Sequence, residues 1–380
     1  MKRWPTKTLG EVCDVRIGRT PRRDEPRFWG GDAVWVTIRE LNGGEITSSK
    51  EMISEAAVRE CMPDPVPVGT LLFSFKLSIG KMAVAGCPLY TNEAIAALPI
   101  RDPAKLSRDF LRYALLAESH EGTANTAVLG KVLNKEKVQQ LPISVPPLAE
   151  QERIVKVLYK ADELRKLRTQ ANRRAADLIP ALFHDIFGDT ISNPKGWPAF
   201  AMSDISETTQ GVQIPRSEQI EQEKPGYKRY LYITDFLHDE SPKFVVGAFQ
   251  SKEVSEHDLV VANTGSPGRV FLGKAGVLSN NLFKVSFDTS KILQLYLYNF
   301  LSLKTFQEHL KGQMKQGIQS HLGHKTFGAQ QLMIPPMPLQ KEFAARVAEI
   351  RELEAEQATS RRRLDDLFQS VLHQAFRGEL

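Results

Sequence analysis

Three cysteines, Cys13, Cys61 and Cys87, are all that 380 residues contain. They are odd in number and far apart, which argues against a disulfide framework and against a Cys-x-x-Cys metal site. They are expected to behave as small buried hydrophobes. Long apolar runs are equally scarce. The longest, such as Leu71 to Phe75, fall far short of the roughly 20 residues that a bilayer span requires, so no membrane segment is expected. Nor does Met1-Lys2-Arg3-Trp4-Pro5 lead into an apolar stretch with a small-residue cleavage site, and the expected compartment is the cytoplasm. An excess of one charge is missing too: 50 Lys and Arg against 45 Asp and Glu leave a net +5, too little to diagnose a polyanionic partner from charge alone.

Motifs of catalysis are also lacking. An adenine methyltransferase holds its flipped base with a motif such as Asn-Pro-Pro-Tyr or Asp-Pro-Pro-Phe, and here Pro335-Pro336 lacks the preceding acid or amide. Gly268 to Lys274 has the spacing of a phosphate-binding loop, but Ala275 stands where a Ser or Thr must ligate magnesium. His321 and His324 form a His-x-x-His with no Glu between them. Asp64 and Lys76 lack a second acid, and Pro65 and Pro67 intervene. The chain reads as non-catalytic, with no cofactor and no metal of its own.

What is present is an internal repeat. Trp4-Pro5 recurs as Trp197-Pro198, a shift of 193. Trp35-Val36-Thr37-Ile38-Arg39-Glu40-Leu41 reappears in character as Tyr230-Leu231-Tyr232-Ile233-Thr234-Asp235-Phe236 at 195. Thr70-Leu71-Leu72-Phe73, then Ser78-Ile79-Gly80-Lys81, correspond to Asp258-Leu259-Val260-Val261 and Ser266-Pro267-Gly268-Arg269 at 188, as Thr91-Asn92 does to Ser279-Asn280. Gln139-Gln140-Leu141-Pro142-Ile143 with Pro147-Leu148 matches Gln330-Gln331-Leu332-Met333-Ile334 with Pro338-Leu339 at 191. Arg173-Arg174, Asp177 and His184 match Arg362-Arg363, Asp366 and His373 at 189. Chance does not readily place six such matches in one order, and the drift in the shift marks insertions in loops.

Each copy has two parts. The first contains short runs of Val, Ile, Phe, Tyr and Thr broken by Gly, Pro, Asn or Asp, which predicts a strand-rich domain. Helices are expected from Leu106 to Glu118 and from Leu293 to Leu310, so the class is α+β. The second part follows a proline cluster, Pro146-Pro147 or Pro335-Pro336 with Pro338, and predicts a long helix. In the first helix Val157, Ala161, Leu164, Arg168, Ala171, Ala175, Leu178 and Leu182 alternate four and three apart, a heptad seam, with a kink expected at Pro180. Phe343, Val347, Ile350, Glu354, Gln357, Arg361, Leu364, Phe368, Val371 and Ala375 do the same in the second. Head-to-tail copies that pair about a pseudo-twofold axis would set these two helices antiparallel as a coiled coil. The expected boundaries are 1–147 and 191–338 for the strand-rich domains and 148–190 and 339–380 for the helices.

Trp4-Pro5 with Leu9-Gly10-Glu11-Val12, Gly18-Arg19-Thr20-Pro21, Gly30-Gly31 before the Trp35 strand, Gly69-Thr70-Leu71-Leu72, and Pro146-Pro147-Leu148-Ala149-Glu150-Gln151 opening a helix together resemble the specificity subunit of a type I restriction-modification system. The resemblance covers essentially the whole chain. The second copy departs from it, with Phe200-Ala201-Met202 for Leu9-Gly10-Glu11 and Lys341-Glu342 where the first has Glu150-Gln151. The resemblance implies two target-recognition domains, each reading one half of a bipartite, asymmetric site on double-stranded DNA, and helices that set the spacing. It also implies two modification (methyltransferase) subunits as partners, with S-adenosylmethionine held on them, and restriction subunits in the full complex.

DNA reading needs side chains that reach base edges and phosphates, with Arg favouring guanine and Asn or Gln favouring adenine. Loops supply the candidates: Thr20, Arg22, Arg23, Lys76, Ser78, Lys81, Asn125, Thr126 and Lys131 in the first domain. In the second they are Arg216, Ser217, Thr264, Ser266, Arg269, Gln313, Lys315, Gln319 and His321. Two other readings remain open at this point. One is a duplicated coiled-coil adaptor that binds only proteins, and the other is an NTPase using the Gly268 loop.

Overall fold

The computed structural model describes residues 4–120, 134–314 and 321–380, so Asn125, Thr126, Lys131, Lys315 and Gln319 lie outside the described residues. The chain forms two compact units, residues 1–169 with 359–380, and residues 170–358.

In the first unit the larger sheet has the order Arg16–Ile17, Ile95–Leu98, Leu71–Ser74, Met82–Ala85, Glu45–Ile46. Leu71–Ser74 is buried at every position because both faces of the sheet are covered. Alternation sends Leu71 and Phe73 into the core with Phe110 and Leu111 of the helix Arg108–His120, and Leu72 into a second core with Val34 and Val36. A second sheet has Trp29–Val36 between Glu51–Ile53 and Tyr90–Thr91.

The second unit repeats this plan. Ser206–Gln210, Leu282–Phe287, Leu259–Ala262 and Val270–Phe271 form one sheet, and Lys243–Val245, Lys228–Leu231, Gly276–Leu278 and Glu253–Val254 the other. Leu259 and Val261 face a core with Leu297 and Phe300, while Val260 and Ala262 face Leu231 and Leu278. The predicted helix from Leu293 to Leu310 is two, Gln294–Ser302 and Lys304–Gln313, because Leu303 is extended at φ −59°, ψ 138°. Phe306 and Leu310 thereby still reach the core.

The repeated sequence marks are structural joints. The aromatic-led strands pair in parallel, Trp35 with Tyr90 and Tyr230 with Val277. The acid that ends each match caps a short helix: Glu40 accepts the Thr37 N–H at 2.6 Å, and Asp235 accepts the Tyr232 N–H at 2.8 Å. Gly18 and Gly211 are at the shift of 193 and allow a close chain crossing. A Cβ at Gly18 would lie 2.0 Å from the Thr91 carbonyl oxygen, and one at Gly211 2.1 Å from that of Ser279.

Each long helix opens on a buried glutamine. Gln151 donates to the carbonyls of Lys105 (2.7 Å) and Pro146 (2.8 Å) and accepts from the Ser107 N–H (2.9 Å). Gln340 donates to Lys291 (3.0 Å) and Pro335 (2.8 Å) and accepts from the Leu293 N–H (2.8 Å). The true counterpart of Gln151 is therefore Gln340, and the sequence-based match of Glu150-Gln151 to Lys341-Glu342 is out of step. The second copy keeps the pattern that it had been expected to break.

The helices are Leu148–Ala176, Leu178–Phe187 and Met337–Arg377. The break falls at Asp177, just before Pro180, which has no N–H to donate and whose ring crowds the preceding turn. The seam of the first helix is also corrected. Leu158, Arg165, Asn172 and Ile179 turn inward with Ala161, Arg168, Ala175 and Leu182, whereas Val157, Leu164, Ala171 and Leu178 are exposed. The apolar residues had drawn the reading one position aside from the true stripe, which admits Arg165 and Asn172. The second seam holds apart from Arg361, which is exposed while Ser360 is half-buried.

Helix ends complete the cores. In the first unit, Ile154 and Leu158 share one core with Phe368, Leu372 and Ala375 near the C-terminus and with Phe110. Arg165 Nε donates to Asp365 at 2.7 Å and Arg153 to the Leu380 backbone oxygen at 2.8 Å, so these two helical segments run antiparallel. In the second unit, Leu182, Phe183 and Phe187 share a core with Phe343, Val347 and Tyr296, and Phe183 and Phe187 lie 5.5 and 5.4 Å from the Phe343 ring. Each strand-rich core is thus closed by the start of its own long helix and by the end of the other copy's. Among the described residues no helix is long and apolar enough to cross a membrane.

Candidate nucleic-acid interface

The best-matched surface feature of the two units is a hairpin turn. In the first, the Ser74 N–H donates to the Lys81 carbonyl (2.8 Å) and the Gly80 N–H to the Ser74 carbonyl (3.0 Å). In the second, the Ala262 N–H donates to the Arg269 carbonyl (2.9 Å) and the Gly268 N–H to the Ala262 carbonyl (2.8 Å). These are the same bonds at a constant shift of 188. Lys76, Ser78 and Lys81 therefore ride on one turn, and Thr264, Ser266 and Arg269 ride on its copy. Ser78, Lys81 and Arg269 are exposed, and Lys76, Thr264 and Ser266 half-buried. No carboxylate among the described residues lies within ion-pair distance of Lys76, Lys81, Arg216 or Arg269.

Beside the first hairpin runs a charged loop. Arg23 binds both Glu51 oxygens, and its guanidinium lies 4.0 Å from the Trp29 ring centroid and 5.0 Å from that of Trp35. Arg22 pairs with Asp24 at 3.1 Å and Glu25 at 3.6 Å. Thr20 donates to Glu93. Burial works to raise the Glu93 carboxyl, but the Thr20 bond, its own backbone and the charges of Lys76 and Arg23 outweigh it and hold the group below its ordinary value. The Arg23 hydrogen bond likewise lowers Glu51. Lys76 and Arg23 thus share one electrostatic neighbourhood, and Arg22 and Arg23 are paired with acids while their side chains stay exposed.

The second hairpin rests on amides and hydroxyls. Gln210 donates to the Asn280 carbonyl at 2.5 Å, Asn263 to the same carbonyl at 3.2 Å, and Thr264 to the Asn281 side chain at 2.9 Å. His324 touches Thr208 through Nδ1 (2.6 Å) and Gln210 through Nε2 (2.8 Å). Burial, with the nearby His321, lowers the His324 pKa. Gln307 fixes the turn by donating to the Gly268 carbonyl at 2.8 Å. Arg216 and Ser217 are exposed on a separate loop, and His321 is exposed beside His324. Gln313 is exposed; it meets His309 at 2.7 Å and accepts from Gln330 at 2.7 Å.

Sequence reasoning did not select Trp29, Gln210, Asn280, Asn281 or Gln213, whose side-chain oxygen accepts from Asn280 at 3.3 Å. The Asn280 signal was available, since Thr91-Asn92 and Ser279-Asn280 were already matched in the repeat. Gln210 carried none, because only the chain crossing at Gly211 brings it to Asn280.

A family model for the type I restriction modification DNA specificity domain matches residues 1–174 and again 194–359. The chain belongs to this family. The MjaIX specificity subunit of Methanocaldococcus jannaschii is 23% identical over 371 residues, covering 90% of this chain and 85% of that protein. The EcoR124I/EcoR124II specificity subunit of Escherichia coli is 25% identical over 189 residues, covering 45% and 44%. Among solved structures, a chain from a study of complex assembly and conformational transition of the type I R-M system superposes with a TM-score of 0.67 at 18% identity, covering 100% of this chain and 99% of that one. The type I system S subunit from M. genitalium gives 0.51 at 14%, covering 98% and 96%. These likenesses establish the fold of a specificity subunit for the whole chain.

In this specificity subunit the phosphate-loop spacing has another use. Val270–Phe271 is a strand instead of the start of a helix, and Lys274 binds Asp239 at 2.6 Å. His324 has both ring nitrogens in hydrogen bonds, which leaves neither to a metal. The subunit is non-catalytic.

Proposed function

We propose that this chain reads a bipartite, asymmetric DNA target and brings two modification subunits, and restriction subunits where present, to it in the cytoplasm. Residues 1–147 and 191–338 are the two readers, and 148–190 and 339–380 are the spacer and the seat of the modification subunits. S-adenosylmethionine belongs to those partners. The observation that carries the reading is the duplicated hairpin, bonded alike in both units and bearing Lys76, Ser78 and Lys81 in one and Thr264, Ser266 and Arg269 in the other. Cations and hydroxyls on a fixed turn suit phosphates, and their different identities suit two unlike half-sites. Thr20, Arg22 and Arg23 on the charged loop, His321 beside His324, and Arg216 and Ser217 on a separate loop are further contacts. Asn125, Thr126, Lys131, Lys315 and Gln319 belong to the same proposal on their sequence alone, and the exposed Gln313 belongs to it as well.

The test is methylation mapping in cells that carry the chain with its modification partner, repeated after residues 1–147 and 191–338 exchange places. A bipartite methylated motif whose halves swap is the expected result. Absence of any motif, with the partner expressed and bound, would favour the protein-only adaptor.

A further inference from the structure

Leu77 stands at the tip of the first hairpin and is 90% exposed, whereas the next most exposed large apolar side chain among the described residues, Val246, is 61% exposed. Its φ of +59° lies in the left-handed region, where a branched side chain crowds the backbone. The other described non-glycine residues there are Asn193 and Asp239, whose short polar side chains tolerate that backbone. At the matching place in the second hairpin stands Gly265, at φ +75°. The turn thus needs a positive φ that glycine meets without strain, and the first copy instead holds a leucine that is both strained and bathed in water. Folding gains nothing from this choice.

The surroundings point to an occupant. Lys76, Ser78 and Lys81 flank Leu77 on the same turn, cations and a hydroxyl suited to phosphate oxygens. An apolar tip between such groups matches a duplex, whose backbone receives the charges while the tip parts a base step. We propose that Leu77 is an apolar wedge entering the base stack of the half-site read by the first unit, and that the second unit, with Gly265, inserts none. The proposal rests on the DNA-reading function above.

The experiment uses the native chain with its modification partner, beside the Leu77→Gly and Leu77→Asn forms of the same complex. Each is titrated with a duplex carrying the mapped motif, in which 2-aminopurine replaces one base at a time through both halves. Apart from the adenines that the modification subunits flip, which respond in both halves, the native complex should raise fluorescence at one step in the first unit's half and at none in the other. Both variants should lose that rise and bind about tenfold more weakly. Their salt dependence should stay unchanged, because no phosphate contact is removed, and their thermal midpoints should not fall, because Gly and Asn accept the backbone. Equal affinity and an equal rise in all three forms would overturn the wedge and leave DNA reading intact. Absence of salt-sensitive binding by the native complex would overturn both.

Discussion

The turns Ser74–Lys81 and Ala262–Arg269 share their closing hydrogen bonds, yet the side chains around them differ in kind. Guanidinium groups, carboxylates and two tryptophans surround the first, with Trp29 and Trp35 edge-on at 5.1 Å. Amides, hydroxyls and an imidazole surround the second. Main chain and core were kept after duplication, and the chemistry facing outward was free to diverge. A pair of readers for an asymmetric target requires that separation of scaffold from contact surface.

The equivalence of scaffolds can be broken most strongly at the chain crossings. Gly18→Ala and Gly211→Ala should each destabilise by about 3 kcal/mol, since the added carbon meets main chain that cannot move aside. Urea unfolding, followed by amide hydrogen exchange in each unit, should place each loss in its own unit. A large loss for one variant alone would show that the crossings are not equivalent.

Next are the buried glutamines. Gln151→Leu and Gln340→Leu each strand two carbonyls and an N–H, at a cost of about 2 kcal/mol apiece, readable as lowered urea midpoints. The difference in contact surface is sharpened by Lys81→Ala and Arg269→Ala. Each should lower the slope of log affinity against log salt by about one and weaken binding alike across sequences. A change in the methylated motif would instead assign that residue to a base edge.

Two pH effects are smaller and separate the units. Glu51 and Glu93 have folded pKa values below the ordinary carboxylate value of 4.5, so their stabilisation is complete above it and is lost as pH falls through the folded values. The Arg23–Glu51 pair is half-exposed, and Glu51→Gln should cost under about 1 kcal/mol at neutral pH while flattening the acid limb of a thermal melt series. His324 is also depressed, from 6.5, so the second unit should lose stability as pH falls below that value. His324→Gln should remove this slope, and an unchanged slope would assign it to another group.

Much of the fold was legible in the sequence. The repeat, the strand-rich and helical parts, and the proline-marked helix starts need only local propensity and period. The errors also have physical causes. Val157 and Leu164 drew the seam aside because apolarity is the usual sign of burial, while Arg165 is admitted by Asp365, 200 positions away in sequence. Gln340 was passed over because the proline spacing differs between copies, and only the hydrogen-bonded carbonyls of Lys291 and Pro335 reveal its role. On the candidate contact surface, residue type in loops pointed to Lys76, Lys81 and Arg269, but nothing local tells that Gln313 accepts from Gln330, 17 positions away.

By itself the sequence determined that two related modules alternate with helices and that the chain lacks the motifs of catalysis, because duplication and motif spacing are one-dimensional properties. The tertiary structure decided which cations stand free, which are already paired, and that each core is sealed by the far end of the other copy's helix. It also set Leu77 in water on a backbone made for glycine. Those outcomes depend on groups brought together across scores of residues, and no local pattern encodes which partner a side chain will meet.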